Sequence, residues 1–168
     1  MLLDTFASPN FTYRNLQERN FDPKNYLNWM QDSITNKYIE GARADFSLKD
    51  IYLYIEEKNK SEQSLLLGIF SDLENRHIGN IKYEPIDFKE ETAWIGILIG
   101  EAEYRGKGYS AEILSETMKK ISENYGVKRF LLGVDTNNKI AHQAYENIGF
   151  IAVGIHEKGG LIMERALI

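Results

Sequence analysis

Between residues 64 and 100 the apolar pattern takes the form SLLLGIFSDL, RHIGNIKYEPI and TAWIGILIG, three short runs rich in β-branched and aromatic residues. Only brief clusters of Asp, Asn, Glu and Lys separate them. Spacers of this kind make tight turns and are too short for the crossover helix that a parallel connection needs. The three runs are therefore expected to form a meander, and that argues against a doubly wound parallel sheet.

On either side of the meander the period lengthens to that of a helix. In DPKNYLNWMQD, Asp22 can cap a helix that starts at Pro23, with Tyr26, Leu27 and Met30 on its apolar side. In SLKDIYLYIEEK, Ser47 and Asp50 have capping-box spacing, and Leu48, Ile51, Tyr52 and Ile55 form the stripe. A third helix is predicted from Lys107 to about Asn124 on Ile113, Leu114, Met118 and Ile121, with Gly126 just past its end. A fourth lies in NKIAHQAYENIGF, with Ile140, Ala144, Tyr145 and Ile148 on one side and Gly149 as its stop. FTYRNLQ reads as a first strand and VKRFLLGVD as a buried one. FIAVGI and LIMERALI close the chain as two strands around Gly159 and Gly160. The order is strand, two helices, three strands, helix, strand, helix, two strands. It implies one mixed α/β domain over residues 1–168.

Composition narrows the function. A formal charge of −5 lacks the basic footprint of a nucleic-acid binder and tolerates cationic substrates. Cysteine is absent, which removes disulfides, thiolate metal sites and cysteine nucleophiles and suggests the cytoplasm. The three histidines are far apart in sequence, so no metal is expected. The longest apolar run, WIGILIG, is far below a membrane span, and MLLDTFASPNF has no basic flank, so neither membrane insertion nor export is expected.

EYRGKGYSAEIL, residues 103–114, places two glycines and two basic residues where a strand runs into a helix. Unpaired amides in a first helical turn attract an anion, and glycine lets a phosphate approach the backbone. A tight loop with solvated basic residues is the plainer reading. A P-loop fails, because Gly100 is too far upstream and Gly108 stands where a hydroxyl belongs. A dinucleotide fingerprint fits locally: Gly106, Gly108 and Ala111 satisfy G-x-G-x-x-A, with Asp135 ending the next strand. The meander speaks against it, since the crossover helices of that fold are missing.

EYRGKGYSAEIL followed by VDTNNKIAHQAYENIGF resembles the acetyl-CoA signature of the GNAT superfamily of N-acyltransferases. A glycine turn opens one helix, and an N-x-x-A helix ends in Y-E-x-x-G-F. The likeness covers about residues 92–150, and YLNWMQD is similar to the RimJ/RimL-like branch. It implies a mostly antiparallel sheet of six to seven strands flanked by four helices, with the fourth and fifth strands splayed. It assigns the pyrophosphate of acetyl-CoA to the backbone of Arg105, Gly106, Lys107, Gly108, Tyr109, Ser110 and Ala111. The pantetheine amides go to Leu98, Ile99 and Gly100, and the Asn138 side chain lies beside the arm. Glu103 departs from the family's Gln or Arg, and His142 from its aliphatic residue.

The reaction so implied is attack of a neutral primary amine on the thioester, collapse through a tetrahedral intermediate, and departure of coenzyme A. Tyr145 stands where the family places a tyrosine general acid, although an aromatic at that spacing also suits a core. Glu84, Glu91, Glu101, Glu103, His77 and His156 are bases by type, and the sequence selects none of them. The acceptor is expected to be a small-molecule or peptide amine. Its binding region would be the two early helices, with Tyr26, Trp29, Tyr38, Phe46, Tyr52 and Tyr54, and the hairpin around His156 to Gly160. A protein N-terminal acetyltransferase, a non-catalytic acyl-CoA-binding module and a homodimer stay open.

Overall fold

The computed structural model describes residues 1–17, 19–33, 45–157 and 159–167. Tyr38 and Lys158 lie outside the described residues. The elements are β1 (Phe6–Ala7), β2 (Phe11–Asn15), α1 (Pro23–Gln31), α2 (Leu48–Lys60), β3 (Leu65–Ser71), β4 (Arg76–Asp87) and β5 (Thr92–Ile99). A 3-10 turn (Ala102–Tyr104) leads to α3 (Tyr109–Tyr125), β6 (Arg129–Val134), α4 (Lys139–Asn147), β7 (Ile151–Ile155) and β8 (Leu161–Ala166). The strands order as β1-β2-β3-β4-β5-β6-β8-β7. The eighth strand beyond the expected range is β1, whose two residues are too few for any periodic signal.

The chain divides into two compact units. One comprises Met1–Lys82 and Ile97–Arg105, the other Tyr83–Gly96 and Gly106–Ile168.

In the first unit, β2 pairs antiparallel with both β1 and β3. The predicted caps are formed: the Asp22 carboxylate accepts from the amides of Lys24 and Asn25, and Ser47 and Asp50 make a reciprocal capping box. Caps of this type contribute about 1 kcal/mol each. The core gathers Leu16, Tyr26, Trp29, Met30, Ile51, Ile55, Leu66 and Phe70. A large apolar side chain buried in this way contributes about 1.5–3 kcal/mol. Tyr52, expected in the stripe of α2, is instead 37% exposed.

In the second unit, β6 pairs antiparallel with β8, and β8 with β7. β5 and β6 are parallel from Thr92↔Arg129 to Ile95↔Leu132, and the register stops there although β5 continues to Ile99. Helix α3 buries Ile113, Leu114, Thr117, Met118 and Ile121. Its Thr117 hydroxyl shares a 2.7 Å hydrogen bond with the Tyr83 phenol. The helix begins at Tyr109, two residues later than predicted, because Gly108 takes a left-handed φ of 77° that a helix cannot contain. It ends at the predicted Gly126, also left-handed. In α4, Ile140 is 82% exposed instead of packed. All of β7 is exposed. Among the described residues no helix is long and apolar enough to cross a membrane.

Candidate active site

The first unit carries the end of β5. Leu98 and Ile99 are half-buried and Gly100 is buried. Gly100 has no alternative at its position: a Cβ there would stand 2.0 Å from Trp29 Cδ2. The amides of Gly100 and Glu101 both donate to the Ile78 carbonyl, at 2.9 and 3.2 Å. Arg105 turns its guanidinium back onto this strand end, where Nε donates to the Ile99 carbonyl at 2.8 Å and a terminal nitrogen donates to the Gly100 carbonyl. Its charge is thus spent partly on the chain's own backbone.

Glu101 is buried beside it. One carboxylate oxygen accepts from Asn25 Nδ2 at 2.7 Å and from Trp29 Nε1 at 3.0 Å, and the other from Arg76. Arg76 also reaches Glu103, at 2.7 Å. Glu103, the departure from the family pattern, therefore answers a cation of β4. An open groove of about 400 Å³ runs along α1, lined by Asn25, Asn28, Trp29, Asp32 and residues 100–102 and 105.

His77 lies among the rings of Phe21, Tyr26, Trp29 and Phe70, with centroids 4.9–6.3 Å away. Its Nε2 meets Asn80 Oδ1 at 2.8 Å. Burial pushes its pKa down to about 4, so the ring is neutral near pH 7. Of the acceptor-region aromatics, Tyr26 and Trp29 are core, Phe46 and Tyr54 pack against that core, and Tyr52 is exposed.

The second unit carries the glycine turn. Gly106 and Gly108 have φ of 69° and 77°, and among the described residues a Cβ built on either would meet nothing within 4 Å. Their glycine character serves the backbone angle. Gly108 is the cap of α3 and offers no side chain to its first amides. Lys107 is exposed, while Tyr109, Ser110 and Ala111 form the half-buried first turn.

Asn138 caps α4, its Oδ1 accepting from the Ala141 amide at 3.2 Å. The N-x-x-A spacing thus has a local cause, and the bond takes the oxygen of the side chain, not Nδ2. Tyr145 is half-buried, with its ring 6.0 Å from that of Phe150, and burial raises its pKa above the ordinary phenol value. His142 stands 3.5 Å from Glu146, and Glu91 pairs with Lys128. Among the described residues no three His, Asp or Glu side chains gather as a metal site.

The model of the acetyltransferase (GNAT) domain family matches residues 10–151. The chain belongs to that family. In this GNAT domain the G-x-G-x-x-A spacing reads as the glycine turn of an acyltransferase, not of a dinucleotide fold. No curated protein is similar enough in sequence to count as a match. Among solved structures, the domain is similar to the microcin C7 self-immunity acetyltransferase MccE in complex with acetyl-CoA and AMP. That pair shares 19% identity over 95% of this chain and 94% of that one, with a TM-score of 0.81. Spermidine N-acetyltransferase from Vibrio cholerae, in complex with CoA and spermine, gives 17% identity, 93% and 95% coverage and a TM-score of 0.82. Ribosomal-protein-S5-alanine acetyltransferase from Vibrio fischeri gives 15%, 97% and 96%, and 0.74. At these identities the likeness is one of fold.

Glu101 is the residue that sequence reasoning undervalued. It was one carboxylate among several possible bases, yet it is buried and holds three donors. The one sequence signal for it was Asn25 and Trp29 at i, i+4, which puts an amide and an indole donor on one side of α1.

Proposed function

We propose that this chain is an acetyl-CoA-dependent N-acetyltransferase acting on the primary amine of a small molecule, such as an amino sugar, polyamine, amino acid or antibiotic, through a single domain spanning residues 1–168. The observation that carries the reading is the pair of left-handed glycines, Gly106 and Gly108, at a helix N-terminus that no side chain caps and whose Cβ positions nothing crowds, among the described residues. Such a turn offers backbone N–H groups and the positive end of a 17-residue helix to a diphosphate.

In this reading the backbone of residues 105–111 holds the pyrophosphate, with Lys107 adding charge from the surface. Leu98, Ile99 and Gly100 are assigned the pantetheine amides and Asn138 a place beside the arm, as the GNAT resemblance implies. Acetyl-CoA, when bound, supplies the activated acetyl group. Tyr145 keeps a proton on its phenol oxygen for the leaving sulfur. The burial that raises its pKa maintains that proton through neutral pH.

The acceptor is the less constrained part. The similar structures are named for microcin immunity, spermidine and a ribosomal-protein alanine, so fold likeness selects none of these. The net charge of −5 supports a cationic amine. The second reading is an acceptor at a protein N-terminus, since the same fold is found in an enzyme named for a ribosomal-protein alanine, and the test below separates the two.

The test is thiol release from acetyl-CoA across polyamines, amino sugars, amino acids and short peptides, with coenzyme A binding measured by calorimetry. Release on a small amine is the expected result. Release on peptides alone would favour the second reading, and binding without release would make the chain a non-catalytic acyl-CoA module. Failure to bind coenzyme A would refute the proposal.

A further inference from the structure

The strand end from Leu98 to Gly100 has to hold its shape, because a row of backbone groups binds an extended arm only when correctly spaced. On one side nothing from β6 fixes it, since the β5–β6 register stops at Ile95, and on the other it lies against β4, where Leu98 and Ile99 pass close to Gly79. Three contacts in the first unit converge on the residue that follows. The Glu101 amide joins that of Gly100 on the Ile78 carbonyl, which ties the backbone to β4. Its carboxylate takes the Asn25 amide and the Trp29 indole, which ties the same point to α1. Its other oxygen takes Arg76, whose guanidinium also reaches Glu103 on the 3-10 turn.

The indole so held is the surface on which Gly100 lies, with no room for even a methyl group between them. A buried carboxylate with three donors is well compensated, whereas removing it would strand an indole N–H, an amide and a guanidinium together. Both carboxylate oxygens are thus engaged by donors of α1 and β4.

The geometry points to Glu101 as the positioning residue for the cofactor strand: through Trp29, Asn25 and Arg76 it sets where the backbone of Leu98, Ile99 and Gly100 stands, and it is not the general base. The inference rests on the proposed role of that strand end in binding coenzyme A. It separates two functions that a glutamate beside an acetyltransferase site could have. A base would be felt in turnover and in its pH profile, and a positioning residue in cofactor affinity.

Glu101→Gln tests it on the full chain. The amide oxygen of glutamine still accepts from Asn25 and Trp29, but its NH₂ group faces the Arg76 guanidinium donor to donor. Calorimetry should show coenzyme A binding weakened roughly ten- to a hundredfold, a range set by what misplacing a site by about an ångström can cost. Trp29→Phe keeps an aromatic ring in the core but deletes the indole donor along with part of the ring volume, so it should weaken binding in the same direction. It also serves if the first variant fails to fold. Amide exchange should quicken at residues 98–105 and stay unchanged in β2 and β3, a pattern that a general loss of stability would not give. Where an acceptor is active, KM for acetyl-CoA should rise with kcat within about threefold, far below the 10²- to 10⁴-fold loss expected on removing a general base.

Unchanged affinity in both variants would overturn the inference while leaving the acetyltransferase reading intact. So would a collapse of kcat at constant KM with the acidic limb of the pH profile lost, because Glu101 would then be the base. Absence of coenzyme A binding by the unmodified chain would defeat the function proposed above and this inference with it.

Discussion

Replacing Gly100 with alanine adds one carbon at a point already filled by an aromatic ring. The new Cβ would lie 2.0, 2.2 and 2.5 Å from Trp29 Cδ2, Cε2 and Cε3, inside the contact distance of any pair of carbons. Relief requires the ring or the strand to move. The ring is 4% exposed in the core cluster, and its Nε1 is fixed to Glu101 at 3.0 Å. The strand is held by the Gly100 and Glu101 amides on Ile78. Either path repacks a filled core, for which overpacking costs about 1–3 kcal/mol, and we expect the upper half of that range here. For a domain of this size that corresponds to a fall in Tm of about 4–12 °C.

Thermal and urea denaturation of Gly100→Ala measure the loss. A double-mutant cycle with Trp29→Ala isolates its cause: the indole deletion makes room for the methyl, so the double variant should be less destabilised than the sum of the singles by about 1 kcal/mol or more. A Tm within a degree of the parent, or strict additivity in the cycle, would refute the reasoning. Gly106→Ala is the control. Among the described residues no atom stands within 4 Å of its Cβ position, so its expected cost is that of the left-handed φ, about 1–2 kcal/mol.

Tyr145→Phe should lower turnover by about 10²- to 10⁴-fold while leaving coenzyme A affinity nearly intact, and unchanged turnover would remove the acid role. His77, with a folded pKa of about 4 against an ordinary 6.5, is neutral in the fold where the unfolded chain binds a proton. Stability should therefore fall as pH drops from about 6.5 to 4, by up to roughly 1.4 kcal/mol per unit from this group. Urea midpoints should show a shallower fall in His77→Gln, and identical slopes would count against the assignment. Asn138→Ala should lose the α4 cap and about 1 kcal/mol, and Asn138→Asp should recover most of it. Equal melting temperatures for all three chains would contradict the capping role.

What was legible in the sequence was what is local. Asp22 and the Ser47/Asp50 box act within a turn of their helices, and both form as read. The meander followed from spacers too short for a helix. Gly106 and Gly108 stood out by their spacing, and their left-handed backbone angles are what the structure adds. The contacts of Glu101 span 25 to 76 residues of chain, so no window along the sequence contains both ends. The apolar faces of Ile140 and β7 were equally hidden, because periodicity marks a face without saying whether anything covers it. The direction of Arg105 is a rotamer choice: sequence placed a guanidinium near the turn, and the carbonyls of Ile99 and Gly100 drew it inward.

The two compact units interleave along the chain, and this limits how the protein can be dissected. The first is interrupted by residues 83–96 and the second by residues 97–105, with β4 and β5 each passing from one to the other. No single cleavage leaves both whole: a break after Lys82 separates Ile97–Arg105 from its unit, and a break after Arg105 separates Tyr83–Gly96 from its own. A chimera that exchanges α1 and α2 for those of another acetyltransferase must therefore carry the 97–105 segment with them, which takes two further splice points. Donor and recipient would be joined at the strand the cofactor is proposed to read, and transplanting α1 and α2 alone leaves Glu101 facing foreign residues where Asn25 and Trp29 stood.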